Sequence, residues 1–252
     1  YASATDRDAA FLSGKLDGML TDYPGATLLQ AKGSRLRLVM ETDGSLSLIA
    51  SKKSDVRNPD DLKGKNISVS GNTFVEYATD EVMKQACLHP GEVNKPEINN
   101  ISLRLMMLED GQISASFLPG PATAIALNNG HTALLNTREM GLRCTGIVFS
   151  EKAITEKDEE IRRFITGYNL GVKYLQTHPQ NEWTEILVKE FGLQEKTAMQ
   201  INLPDYRSAT RPSYHDIEKI IAWLKSKGAI PDYYPGENLV DTTFIPGTLK
   251  PQ

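Results

Sequence analysis

The chain is poor in the residues that most metal and redox chemistry uses. Its 252 residues hold two cysteines and four histidines. Cys87 and Cys144 stand too far apart for a zinc box or a Cys-x-x-Cys redox pair. They read as buried small hydrophobes, with a disulfide the alternative, and so fix no compartment. His89, His131, His178 and His215 are scattered singly, without His-Glu-x-x-His spacing, and read as surface or capping residues. No metal and no cofactor is expected. An excess of positive charge is lacking too: 28 Lys and Arg face 32 Asp and Glu, a formal net charge of −4, and no Lys/Arg run makes a local basic field, so nucleic acid is not an expected partner. No apolar run approaches the roughly 20 residues that span a bilayer, and no charged start with an apolar stretch marks an export signal. There is no Gly-x-Ser-x-Gly elbow, no phosphate loop with its lysine and no nucleophile beside a base, so no catalytic residue is assigned.

What remains is an ordinary globular composition, 40% hydrophobic and 24% charged, at a length that suits one large domain or two small ones. The chain is organised around the stretch from Asn66 to Cys87. A short apolar strand, Ile67-Ser68-Val69, enters the turn Ser70-Gly71-Asn72, and Val75, Ala78, Val82, Met83 and Ala86 recur at helical spacing after it. Thr73 and Glu76 form a capping box that sets the helix start. Such a turn leaves free N–H groups and a positive dipole end at the carboxyl edge of a sheet, suited to an anionic or acceptor-rich ligand group.

A second pattern is a repeat. Helix, Gly14, strand, the turn Thr21-Asp22-Tyr23-Pro24 and a helix stopped by Gly33 are followed 97 positions later by helix, Gly111, strand, Leu118-Pro119-Gly120-Pro121 and a helix stopped by Gly130. Arg7, Leu16 and Leu20 superpose on Arg104, Ile113 and Phe117. Few positions are identical, so chance is the competing explanation. Leu36 to Met40 and Leu46 to Ala50 read as strands joined by a tight Asp43-Gly44 turn. After Gly146-Ile147-Val148-Phe149 three helical stripes follow: Ile161 to Leu175, Trp183 to Phe191, and Ile217 to Leu224. All three read as core faces, with both tryptophans as core residues. The tail from Pro235 reads as a surface-hugging extension.

Taken together, Thr5-Asp6-Arg7-Asp8-Ala9-Ala10 with Gly14-Lys15-Leu16-Asp17-Gly18, Asp61-Leu62-Lys63-Gly64-Lys65-Asn66-Ile67-Ser68-Val69-Ser70, Asn72 to Tyr77, Leu118-Pro119-Gly120-Pro121-Ala122 and Trp223 to Gly228 resemble one family along essentially the whole chain. It is the solute-binding proteins of ABC importers of the nitrate, taurine and alkanesulfonate type, a group that includes the binders of the thiamine-precursor pyrimidine. The resemblance implies an α/β fold of the periplasmic-binding-protein type II class, with two lobes, two crossover hinge strands and a ligand cleft between the lobes. It places lobe one at 1–45 plus 147–252, lobe two at 51–143 and the hinges at 46–50 and 145–149. It further implies a small-molecule ligand, an ABC permease in the membrane as partner, and a periplasmic or lipid-anchored extracytoplasmic location. Two departures stand out. The family places a strand, a helix and a second strand, with ligand contacts, ahead of the segment that begins here. It also commonly has an acidic residue where this chain has Gly120, which leaves Asp22 as the candidate for a cationic ligand group.

The expected ligand-binding residues are Thr21, Asp22, Tyr23, Ser45, Ser70, Gly71, Asn72, Thr73, Pro119, Gly120 and Pro121. Residues 70–73 are to take the solute's acceptor or anionic end, and Thr21, Asp22 and Tyr23 a donor end. Each has a competing structural role: Asp22 before Tyr23-Pro24 is a good helix N-cap, Ser70, Asn72 and Thr73 suit capping, and Gly120 permits close backbone approach. The leading function is capture of a small organic solute, whether a sulfonate, nitrate or an aminopyrimidine. The alternatives are an enzyme on the same fold, of the menaquinone-pathway or pyrimidine-synthesis type with Asp22 as a lone base, and the effector domain of a regulator. The last needs a helix-turn-helix that this chain does not show.

Overall fold

The computed structural model describes residues 4–199, 201 and 205–245. Helices and strands alternate through α1 (Ala4–Leu12), β1 (Gly18–Asp22), α2 (Tyr23–Ala31), β2 (Leu36–Thr42), β3 (Leu46–Ala50), β4 (Ile67–Ser68), α3 (Phe74–Gln85), α4 (Ile101–Asp110), β5 (Ala115–Pro119), α5 (Gly120–Asn128), β6 (Thr132–Asn136) and β7 (Thr145–Ser150). The rest is helical: α6 (Glu151–Glu156), α7 (Asp158–Thr177), α8 (Gln180–Phe191), α9 (Glu195–Met199) and α10 (Tyr214–Ser226). The described residues fall into two units. Unit 1 lies within Tyr1–Gly44, Arg143–Tyr174 and Asp205–Gln252, and unit 2 within Ser45–Leu142 and Leu175–Pro204. The described residues from Leu175 to Ile201, expected in lobe one, thus group with unit 2.

Unit 1 holds an antiparallel sheet in the order β1-β7-β2. Gly18 faces Phe149 in the register, and only a glycine fits there, since a Cβ would lie 2.5 Å from the Phe149 ring. The outer edge of β2 is met by the tail: the Leu38 amide donates to the Leu239 carbonyl at 2.7 Å, and the Asp241 amide to the Leu38 carbonyl at 3.0 Å. Leu239, Phe244 and Ile245 are buried, with Phe244 and Ile245 in a core cluster that includes Val39, Met40, Ile161 and Ile165. The tail up to Ile245 is therefore core and sheet edge rather than a surface strap, because an open strand edge offers hydrogen bonds that a merely polar surface does not. Residues 246–252 of that tail, like Tyr1 to Ser3, lie outside the described residues.

Unit 2 holds a sheet in the order β4-β5-β3-β6. β4 runs parallel to β5, with Ile67 beside Ala115 and Ser68 beside Ser116, and the buried Ser68 hydroxyl donates to Ser116 Oγ at 2.9 Å. β3 is antiparallel to β5 and β6. The Asp43-Gly44 signal thus does not make a hairpin: β2 and β3 sit in different sheets, and the Asp43 carboxylate is held by the Arg207 amide and Nε, both at 2.8 Å. β6 escaped the sequence reading because it is an edge strand with Thr132 and Ala133 exposed, which erases the alternation. Of the helical stripes, Ile161, Ile165 and Val172 of α7 and Ile217, Ile220 and Leu224 of α10 are buried as expected. α8 departs from expectation, with Ile186 exposed and Trp183 half-buried. Trp223 is also half-buried and carries the Lys227 ammonium 4.6 Å above its ring. Both cysteines are free: Cys144 is buried as expected, but Cys87 is exposed, in a left-handed conformation two residues past α3.

The repeat is structural. α1, β1 and α2 correspond to α4, β5 and α5, and β1 and α2 match β5 and α5 residue for residue at the same offset. Gly14 and Gly111 close their helices with the same φ of 74°. Arg7 Nη1 donates to the Leu20 carbonyl at 3.0 Å, and Arg104 Nη1 to the equivalent Phe117 carbonyl at 2.9 Å. An agreement extending to one side-chain hydrogen bond leaves no room for chance.

Candidate functional site

Three of the expected segments gather at one edge of the sheet in unit 2. β4 and β5 are parallel neighbours, so residues 70–73 and 119–121 leave the same side of the sheet. β3 runs the other way and starts there, with Leu46 opposite Pro119 and half-buried Ser45 just before it. The carboxyl edge of parallel strands is where α/β folds present loops and helix ends to ligands.

The turn at 70–73 is more occupied than expected. Ser70 Oγ donates to Asn99 Oδ1 at 2.7 Å, and Thr73 Oγ1 donates to the Ser70 carbonyl at 2.7 Å while accepting from the Val75 amide at 3.2 Å. The predicted capping box is displaced by one residue. Glu76 Oε2 accepts from the Asn72 amide at 2.7 Å, and Asn72 takes a left-handed φ of 55°. A second carboxylate, Glu97, stands against Gly71, where a Cβ would come within 2.9 Å of its Oε1. One amide of the turn is thus engaged by Glu76, itself 3.3 Å from the Lys95 ammonium, and Glu97 lies alongside.

The turn at 119–121 is the reverse. Pro119 is the N-cap of α5 and provides no side-chain cap, Gly120 and Pro121 are exposed, and a Cβ on Gly120 would meet nothing within 4 Å. The opening amides of a helix have no intrahelical acceptor and carry the positive end of its dipole. Arg104, reaching from α4 to the Phe117 carbonyl just ahead of this turn, is 3% exposed, and burial draws its pKa down to about 10. Its Nε is buried without a hydrogen-bond partner. No carboxylate pairs with it among the described residues.

In unit 1 the expected residues are engaged. Asp22 Oδ1 accepts from the Gly25 amide at 2.7 Å and caps α2, the structural role that competed with ligand binding. The buried Thr21 hydroxyl accepts from Arg7 Nη2 at 3.1 Å. Tyr23, expected to offer its side chain to a donor end, is fully buried and donates to Glu41 Oε2 at 3.2 Å. Burial, reinforced by the Glu41 charge, pushes its hydroxyl pKa far up, so it stays a neutral donor within the protein.

Sequence reasoning missed an ionic cluster in unit 1 whose carboxylates are buried and whose arginines are 40% and 42% exposed. Glu41 and Asp43, with side chains 5% and 6% exposed, share Arg207: Nη2 lies 2.7 Å from Glu41 and Nε 2.8 Å from Asp43. Arg143 Nη1 stands 3.8 and 3.7 Å from the same two carboxylates and, like the Tyr168 hydroxyl, is buried without a hydrogen-bond partner. Burial and the Asp43 charge raise the Tyr168 pKa to about 12. The available signal was a pair of acids at alternate positions closing an apolar strand; their arginines lie too far along the chain to be matched by spacing.

Residues 1–182 match the model of the family described as NMT1/THI5 like. No curated protein matches in sequence. Among solved structures, the periplasmic aliphatic sulphonate binding protein SsuA from Escherichia coli aligns with a TM-score of 0.82 at 13% identity, over 98% of this chain and 83% of that one. The alkanesulfonate-binding protein SsuA from Xanthomonas axonopodis pv. citri, bound to MOPS, aligns at 0.79 and 18% identity over 92% and 82%. The desulfurization enzyme DSZB aligns at 0.64 and 12% over 91% and 84%. The chain has the α/β fold of the periplasmic binding proteins.

Proposed function

The chain belongs to the NMT1/THI5-like family, and from that premise we propose that it is the solute-binding component of an ABC import system. Its cargo is a small organic solute of the sulfonate, nitrate or aminopyrimidine kind, passed to a membrane permease, and its place is outside the cytoplasm, periplasmic or lipid-anchored. The observation that carries this reading is the gathering of Ser45, residues 70–73 and residues 119–121 at the edge where β4 and β5 end. Hydroxyls, backbone amides and the Glu76 carboxylate meet there. β3 and β7, which contain 46–50 and 145–149, are the proposed hinge strands.

Thermal-shift and calorimetric titration with alkanesulfonates, nitrate, aminopyrimidines and amino acids tests the proposal. Saturable one-to-one binding of one class, without turnover, is the expected result. Absence of any binder at millimolar concentration overturns it. An enzymatic reading finds little support at the residues: burial raises the Cys144 thiol pKa well above its ordinary value, away from the thiolate a nucleophile needs, and Asp22 is the cap of α2.

A further inference from the structure

Asn129-Gly130 is the one Asn-Gly pair in the sequence, and the structure sets it where α5 ends. A glycine after asparagine leaves the next backbone nitrogen unshielded by a Cβ, so that nitrogen attacks the side-chain amide carbon more readily than before any other residue. Here the pair is clasped. Asn129 Nδ2 donates to Glu109 Oε1 at 2.5 Å, and the Lys52 ammonium donates to the Asn129 carbonyl at 2.8 Å while standing 3.4 Å from Glu109 Oε2. Next in the chain, His131 Nδ1 accepts from the Lys52 amide at 3.0 Å, and its Nε2 lies 3.0 Å from Glu109 Oε1. The exit of β3, the end of α4 and the α5–β6 turn, all in unit 2, therefore meet around one carboxylate. The Gly130 amide is itself engaged, donating to the Leu127 carbonyl at 3.0 Å. Asn129 has a ψ of 2°, which turns the following nitrogen away from the Asn129 side chain, whereas ring closure needs the two on the same side of the Cα–C bond.

We infer that Asn129 is a site of spontaneous deamidation gated by this clasp, a modification independent of the solute-binding reading. For reaction the end of α5 must open locally: the Asn129–Glu109 and Gly130–Leu127 bonds break and ψ rotates. The Gly130 nitrogen then bonds to Asn129 Cγ and gives up its proton, and the side-chain nitrogen leaves as ammonia. Water opens the resulting five-membered imide at either carbonyl, giving aspartate or its β-linked isomer, and nothing is oxidised or reduced. Both products make the change one-way. A carboxylate in place of the Asn129 amide takes a donor from Glu109 and sets a like charge against it, with the Lys52 ammonium beside both residues. The β-linked form also adds a carbon to the main chain just ahead of Gly130, whose φ of 87° closes the turn. The clasp does not re-form as it was, and the corner stays looser beside Thr132, which pairs with Ala50 at the start of β6.

The test follows conversion at Asn129 by peptide mapping in one mildly alkaline buffer. The samples are the folded chain, a synthetic peptide of residues 124–136, and Glu109→Ala, whose fold is checked by its denaturation midpoint. The folded chain is expected to convert about ten- to a hundredfold more slowly than the peptide, and Glu109→Ala to close most of that gap, as for loss of a charged hydrogen-bond acceptor. Hydrogen exchange of the Gly130 amide in wild type is expected to be slowed as well, because the same opening governs it. Asn129→Asp, which installs one of the two products, is expected to exchange that amide faster than wild type. Equal conversion in the folded chain and the peptide overturns the inference, as does a folded Glu109→Ala that converts no faster than wild type. No detectable conversion in the folded chain once the peptide has converted completely overturns it too. Should Glu109→Ala fail to fold, the comparison of wild type with the peptide and the exchange of Asn129→Asp decide between the same outcomes.

Discussion

The two copies of the helix–strand–helix repeat share a backbone plan and differ in what fills it. In the first copy Arg7 has a carboxylate and a hydroxyl, the following helix has an aspartate cap, and Tyr23 closes the turn against Glu41. In the second, the arginine has one carbonyl, the helix has no side-chain cap and a glycine stands where the tyrosine was. A fold that builds the same turn twice can seal one with side-chain partners and leave the other with fewer.

The largest expected effect comes from breaking the seal of the first copy. Arg207→Ala takes the closer cation from Glu41 and Asp43, leaving Arg143 at 3.7 to 3.8 Å and the Tyr23 hydroxyl on Glu41, and is expected to cost on the order of 3 kcal/mol in chemical denaturation. A loss below about 1 kcal/mol would mean that the cluster is already hydrated. Next, the two arginines should respond with opposite signs. Arg7→Met removes four hydrogen bonds and should lose about 1 to 2 kcal/mol, whereas Arg104→Met replaces an unpaired buried cation and should gain about 1 kcal/mol without ligand. Destabilisation by both to the same degree would show that the copies are energetically alike.

Helix caps give a smaller contrast. Asp22→Ala should cost about 1 kcal/mol, and Pro119→Asp should return a comparable gain to α5. The smallest difference lies at the helix-closing glycines. Gly14→Ala and Gly111→Ala both force a side chain into φ of 74°, at about 1 kcal/mol each. Gly111 should be a few tenths worse, because its Cβ would stand 3.1 Å from Lys53 side-chain atoms while that of Gly14 meets nothing. Equal midpoints for the two variants would remove Lys53 from the account.

Much of this could be read in the sequence because it is local. Capping residues, helix-closing glycines and apolar spacing act over a few positions, so α2, α3 and α5, with the repeat that contains two of them, were visible. The site was legible only as a set of turns. That Glu97 lies against Gly71 and that the tail edges β2 depend on segments meeting across the fold, which spacing does not encode. Tyr23 shows the limit well: a tyrosine in a polar turn reads as a ligand group until Glu41, from the next strand, is found at its hydroxyl.

By itself, then, the sequence determined where most helices and strands fall, β6 excepted, and that one unit is built twice, because hydrogen bonding within a turn of chain and the period of apolar residues settle those choices. Only the tertiary structure decided which charges are satisfied. Glu41 and Asp43, Arg143, and Arg207 come from three separate stretches, and that no carboxylate pairs with Arg104 among the described residues is a fact about what does not come near it. Charge pairing depends on distance in space and on exclusion of water, and both exist only once the chain has folded.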